Sequence, residues 1–276
     1  MPKLNRLKAR FSQIKNIEKI TKVMEMIANA KIPKIKKQFS QAEQFFVNLD
    51  SIFQLVINSI ENLDLFASKQ ENKQLFILFT SNLGFCGSFN NLIIKNFQTH
   101  YKPGDDIIIF GKRGVVALQK FSQNFLKVYE NIEENNFEET LNEFSELIIS
   151  HILNKTYSRI NVCYNKFVNI ITSVPSMHQI FPFKKVEKEI SNNFIDFEPS
   201  SEEILNRLIP FYTKATIHKL FLESKLVEIS SRRVAMENAS DNATEIIEKL
   251  DLQINSSRQT IITQEIIEII GANLEH

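Results

Sequence analysis

Between Ser201 and Ile270 the chain has no glycine, and one heptad register runs through Leu222, Leu226, Ile229, Arg233, Met236, Ser240, Ala243, Ile247, Leu250, Ile254, Ser257 and Ile261. A four-three spacing held over more than five heptads marks a helix that buries one seam against another helix. "SSEE" at the start reads as a Ser-x-x-Glu cap, and Gly271 stands where a helix stop is expected. Such a helix would be roughly 100 Å long, more than any compact domain needs. It therefore calls for a long partner helix. Arg233, Ser240 and Ser257 interrupt the apolar seam. They weaken it, and the small residues let two backbones approach closely.

The partner is found at the other end. From about Lys3 to Ser59 there is no glycine and the only proline is Pro33. Apolar residues recur at Leu4, Leu7, Phe11, Ile14, Ile17, Ile20, Met24 and Ile27, in steps of three and four that are read here as the facing seam. As one helix this segment would run about 85 Å, with a bend or break expected at Pro33. The middle of the chain differs. "QLFILFT", "DDIIIFG" and "SRINVCYNKFVNIITSV" are strand-like, and "NNLIIKNFQTH", "GVVALQKFSQNF" and "FEETLNEFSELIISHIL" have helical spacing. Alternation of the two patterns implies a layered sheet with parallel pairing. The expected fold class is α/β, a long antiparallel coiled coil of the N- and C-terminal helices plus a small Rossmann-like α/β domain. Its expected division is 1–59, 73–195 and 201–272, with a terminal tip at 255–272.

That tip raises a functional question. Ile261, Ile262, Ile266, Ile267, Ile269 and Ile270 crowd into ten residues and cover roughly two-thirds of the helix circumference. An ordinary surface helix needs an apolar stripe on one side only. Charge offers less direction. The 276 residues carry a net charge of +1, although the first forty hold eleven Lys or Arg against two Glu, roughly +9. Those positives surround the helix with no aromatic platform beside them, so acidic loops of a protein partner fit them better than nucleic acid.

Catalytic chemistry is thinly represented. "SNLGFCGSFNN" has two glycines at a strand-to-helix turn but matches neither GxGxxG nor GxxxxGK[ST], and "FGKRG" reads as a plain turn. The five histidines are scattered, and Glu133, Glu134, Glu138 and Glu139 read as a solvated acidic face. Cys86 and Cys163 form no CxxC pair and are expected to be buried, reduced thiols. No catalytic residue, cofactor, metal or direct small-molecule substrate is expected. No apolar run approaches a membrane span and no secretion signal is seen.

Four blocks carry a family resemblance across essentially the whole chain. They are "LKARFSQIKNIEKITKVMEMIANAK", "SNLGFCGSFN", "FEPSSEEILNRLIPFY" and "SSRRVAMENASDNATEIIEKLDLQINSSRQTIITQEIIEII". In this order they resemble the gamma subunit, or central stalk, of the rotary F-type ATP synthase and F1-like ATPases. The resemblance implies a non-catalytic rotor shaft whose terminal helices form an axle inside a ring of three alternating alpha and beta subunits. It implies that Met24, Lys31 and Arg232 face beta subunits, and that Arg258, Gln259, Thr263 and Glu265 are polar catches near an apolar collar around the isoleucine tip. The middle of the chain, with Phe197 and Glu198, would be a foot on an epsilon-type subunit and a membrane c ring. The implied place is peripheral, on the cytoplasmic face of a bacterial plasma membrane. Asn82, Leu83, Ile195 and Pro33 depart from the family pattern. A specialised F1-like ATPase rotor, not coupled to a proton-driven c ring, therefore stands as an alternative. A coiled-coil scaffold and a nucleic-acid-binding helical protein are more distant ones.

Overall fold

The computed structural model describes residues 2–60, 73–119, 125–130, 132, 137–185, 197–198 and 200–274. Glu133, Glu134 and Ile195, named above, lie outside these residues. Two helices bracket the chain, α1 over Pro2–Asn58 and α5 over Ser201–Leu274. Ser200 caps α5, its Oγ accepting the Glu203 N–H at 3.2 Å. Glu203 in turn pairs with Arg207 one turn on, at 2.7 Å.

Neither of two expected helix breaks is made. Pro33 does not break α1, which is helical on both sides of it. Proline lacks the N–H that would bond the Asn29 carbonyl, a loss of about 3 kcal/mol in a helix interior. Burial of Ala28, Ile32 and Phe39 on the covered side offsets that loss. Gly271 does not stop α5, which runs on to Leu274. Glycine permits a left-handed stop but does not impose one; within a helix it costs only about 1 kcal/mol.

Two units divide the chain, Met1–Ala30 with Arg232–His276, and Lys31–Ser231. The second unit contains a five-stranded sheet of β1 (Gln74–Phe79), β2 (Asp106–Phe110), β3 (Phe125–Tyr129), β4 (Arg159–Phe167) and β5 (Ser173–Phe181), in the order β3-β2-β1-β4-β5. The first four strands are parallel, and β5 closes the edge antiparallel to β4. Helices α2 (Phe89–Gln98), α3 (Lys112–Leu118) and α4 (Phe137–Leu153) connect the strands.

The period-two alternation of the strands sorts the core into two layers. Leu75, Ile77, Phe79, Ile108 and Phe110 point to a face covered by Phe53 and Ile57 of α1, Phe144 and Ile148 of α4, and Leu205, Ile217 and Phe221 of α5. Phe76, Leu78, Ile107 and Ile109 point the other way, onto Phe89, Ile93 and Phe97 of α2 and Leu118 of α3. Phe110 sits among the rings of Phe79, Tyr129, Phe144 and Phe221, at centroid distances of 4.7–5.7 Å. Cys86 and Cys163 are buried free thiols, and burial pushes the Cys163 thiol up to about 12.

Two segments of this unit fold differently from what their residue patterns predict. "SRINVCYNKFVNIITSV" is not one strand but a hairpin. The Asn169 side-chain oxygen accepts the N–H groups of Ile171 and Thr172, at 2.9 and 2.7 Å, and folds the chain back. Among its described residues "GVVALQKFSQNF" gives the end of the short α3, and its last residue already begins β3.

His178 on β5 has a pKa lowered to about 4, chiefly by burial and then by Lys219, with Asp50 opposing. A neutral histidine favoured on folding gives stability that is lost as pH falls from the unfolded value near 6.5 through about 4. His178→Gln is expected to lose roughly 3 kcal/mol less than the parent chain between pH 7 and pH 4. Urea unfolding followed at both pH values checks this.

Candidate partner-facing surfaces

In the first unit α1 and α5 run antiparallel. The Thr244 hydroxyl bonds the Glu18 carboxylate at 3.0 Å, and Leu7 shares a shallow groove with Leu252, Ser256 and Ser257. On α5 the expected seam is the observed one: Met236, Ser240, Ala243 and Leu250 are buried, and Arg233, Ile247, Ile254, Ser257 and Ile261 half-buried.

On α1 the seam is not the expected one. Leu4, Leu7, Phe11 and Ile14 face inward, but the covered side continues through Glu18, Thr21, Glu25 and Ala28. Ile17, Ile20 and Ile27 are 48%, 60% and 52% exposed. The reason is geometric. Successive steps of three slip about 60° each around the helix, whereas alternating three and four keep one face inward. Polar side chains hold the true heptad positions, so hydrophobicity alone pointed to the wrong face. Glu25 is buried and receives the Lys22 ammonium at 3.0 Å, which is first among the causes raising the Lys22 pKa. Arg233 pairs with Glu237 at 3.3 Å, while its buried Nε has no hydrogen-bond partner among the described residues.

Ile17, Ile20 and Ile27 therefore form an exposed flank about 90° from the seam, with half-buried Met24 among them. Lys31, four residues after Ile27, is exposed, and Arg232 is half-buried. This apolar strip belongs to the surface of the helix and not to its core.

Beyond Ile261 every α5 residue whose burial is described is exposed. Ile262, Ile266, Ile267, Ile269 and Ile270 stand in the open, Ile267 and Ile269 at 62% and 63%. Arg258, Gln259, Thr263 and Glu265 are exposed among them. The Thr263 hydroxyl donates to the Gln259 carbonyl at 2.9 Å. Its proton is thus committed to its own helix, and toward a partner it is an acceptor.

On the second unit Phe197 is half-buried against the core beneath the sheet, and Glu198 is exposed. The glycine turn after β1 is committed inward. Ser81 N–H donates to Asn90 Oδ1 at 2.9 Å, and Asn90 Nδ2 donates to Ser81 Oγ at 2.8 Å. Thr80 Oγ1 donates to the Phe110 carbonyl at 2.6 Å and accepts the Gly114 N–H at 3.1 Å. Gly111 has φ +95°, and a Cβ there would lie 2.5 Å from the Thr80 carbonyl oxygen, so glycine is required.

Next to this turn, α5 lies over the C-terminal ends of β1 and β4. Glu223 Oε1 accepts the Phe167 N–H at 3.0 Å, and Ser224 Oγ donates to the Phe79 carbonyl at 3.3 Å. Both side chains are buried. Burial raises the Glu223 pKa; the Phe167 N–H, Lys219 and Lys166 oppose it. The sequence reading did not single out these two residues. The available signal was an acidic residue inside the apolar run "LFLESKLVEI". Among the described residues no helix is long and apolar enough to cross a membrane, and no His, Cys, Asp and Glu groups are placed to hold a metal ion.

The fold defines a class first. It is shared with a chain of the Euglena gracilis mitochondrial ATP synthase in its OSCP/F1/c-ring structure, at a TM-score of 0.70 and 18% identity over 98% of this chain and 93% of that one. It is shared also with one from the Tetrahymena thermophila mitochondrial ATP synthase central stalk and c-ring, at 0.63 and 24% over 80% and 99%. A family model described as ATP synthase matches residues 3–273. The chain is 33% identical to the ATP synthase gamma chain of Mycoplasmopsis pulmonis over the full length of both. It is 35% identical to that of Mycoplasmopsis synoviae over 98% of each, and 32% to that of Rickettsia bellii over 99% of each. This chain belongs to the ATP synthase gamma-chain family.

The corrected seam makes a contrast. Met236→Ala is expected to destabilise the helix pair by about 2–5 kcal/mol, and Ile20→Ser by no more than about 0.5 kcal/mol. Amide exchange around Ala243 measures both.

Proposed function

We propose that this chain is the central rotor shaft of an F1-type ATPase. It turns inside a ring of three alternating alpha and beta subunits and couples its angle to ATP synthesis or hydrolysis on beta. The chain itself supplies no catalytic group. The observation that carries this reading is the tip, a single helix apolar on nearly all sides whose isoleucines beyond Ile261 are exposed among the described residues. A collar that touches it all round is the environment such a surface favours. Dispersion contacts are non-directional, so the tip turns without breaking a directional bond at every angle.

Directional contacts are needed for the ring to sense the angle. Exposed Arg258, Gln259 and Glu265 serve here as catches, Thr263 as an acceptor beside them, and Met24 with Lys31 and Arg232 as contacts further along the helices. A hydrogen bond to a charged group contributes about 1.5–3 kcal/mol. Made with one beta subunit at a time, such bonds render three chemically identical sites unequal. The coupling is reciprocal: occupancy of the sites biases the angle as much as the angle biases affinity.

The lobe, meaning the five-stranded sheet with α2, α3 and α4, supplies with Phe197 and Glu198 the foot on an epsilon-type subunit and a membrane c ring. The same reading puts the chain's working position at the periphery of the membrane, on the cytoplasmic face of a bacterial plasma membrane. Full-length relatives named as ATP synthase gamma chains support the synthase over a specialised ATPase.

Truncation after Asn255 removes the tip, and rotation-linked ATP turnover of the assembled complex should fall. Unchanged coupling would contradict the role given to the isoleucines. Arg258→Ala with Gln259→Ala should slow turnover roughly tenfold, the equivalent of one charged hydrogen bond, with assembly intact.

A further inference from the structure

In a sheet ordered β3-β2-β1-β4-β5, the connections reverse direction between β1 and β4. Outside the carboxyl ends of those two strands, doubly wound sheets hold their ligands, which are commonly anionic. Here the place is taken by the protein's own α5. Phe221 packs on Phe79 and Phe110 on one side of the sheet, and Val227 belongs to the core of the other side. Between them the buried Glu223 carboxylate meets the Phe167 N–H of β4, and Ser224 meets the Phe79 carbonyl of β1.

We propose that the lobe grips α5 as such a sheet grips an anionic ligand, with Glu223 as the positioning residue that clamps the helix to β4. An apolar side chain would fill the same space but would leave the Phe167 N–H without this acceptor, and it could slide. A carboxylate bonded to a backbone N–H fixes both the rotation and the height of the helix. Lys219 and Lys166 stabilise its charge, against the cost of burial. The Ser224 hydroxyl adds a second point on the neighbouring strand. Two directional bonds on two strands are what a joint needs if helix and lobe are to turn as one body. That purpose rests on the rotor reading; the clamp itself does not.

The test uses the full chain and amide exchange. Glu223→Ala should speed exchange of the Phe167 amide at least tenfold while the β2 amides of Ile108 and Ile109 keep their protection. Glu223→Gln, whose side-chain oxygen still accepts the bond, should restore protection at Phe167. An unchanged Phe167 rate in the alanine variant overturns the clamp, as does a glutamine variant that loses as much protection as alanine. Should alanine unfold the whole lobe, the glutamine variant alone decides by the same criterion. In the assembled complex, a probe on the lobe should turn less per ATP under load with Glu223→Ala than with the parent chain. Equal turning removes the clamp's part in transmitting torque. A parent complex whose probe does not turn at all defeats the rotor reading, and the clamp is then decided by exchange.

Discussion

Seam packing between α1 and α5 underlies the helix pair. Isolated helices are marginal in water, and most of their stability in proteins comes from burying one face. Neither helix could hold its length on propensity alone, since each contains a proline, Pro33 in α1 and Pro210 in α5. The covered row of Met236, Ser240, Ala243 and Leu250 against Thr21, Glu25 and Ala28 is narrow and partly polar. It leaves the remaining circumference of both helices for other work. On α1 that circumference includes an apolar flank, and past Ile261 the tip of α5 has no seam partner among the described residues.

The lobe solves a different problem. A parallel sheet buries both faces, and its strands accordingly read as continuous apolar runs such as "LFILF" and "IIIF". Covering the two faces leaves the strand ends, where unpaired backbone groups collect. At β1 and β4 the side chains of Ser224 and Glu223 satisfy these groups, Thr80 does so at the end of β2, and Gly111 and Gly114 let the backbone come close enough for Thr80 to reach. The arrangement converts an ordinary ligand-binding edge into a fastening for a helix.

Much of this was legible in the sequence, for identifiable reasons. The α5 heptad was readable because apolar and small residues occupy nearly every seam position over many turns. The α1 seam was not, because Glu18, Thr21 and Glu25 take the inward places and isoleucines take the flank. Strands β1, β2 and β4 declared themselves by β-branched and aromatic runs. β3 is five residues long and directly follows a helical pattern, and the break between β4 and β5 depends on the side-chain bonds of Asn169. Exposed polar residues near the tip could be placed by motif. The meeting of Glu223 with Phe167 could not, since 56 residues separate them and no local pattern encodes the contact.

The open isoleucines bear on the life of the chain before it has companions. Electrostatic repulsion keeps many proteins apart in solution, but a net charge of +1 and an isoelectric point near 7.7 provide almost none at neutral pH. A free copy thus exposes an adhesive end without a compensating field. Solubility then depends on how promptly the end is enclosed, which ties production of this subunit to the supply of whatever receives it.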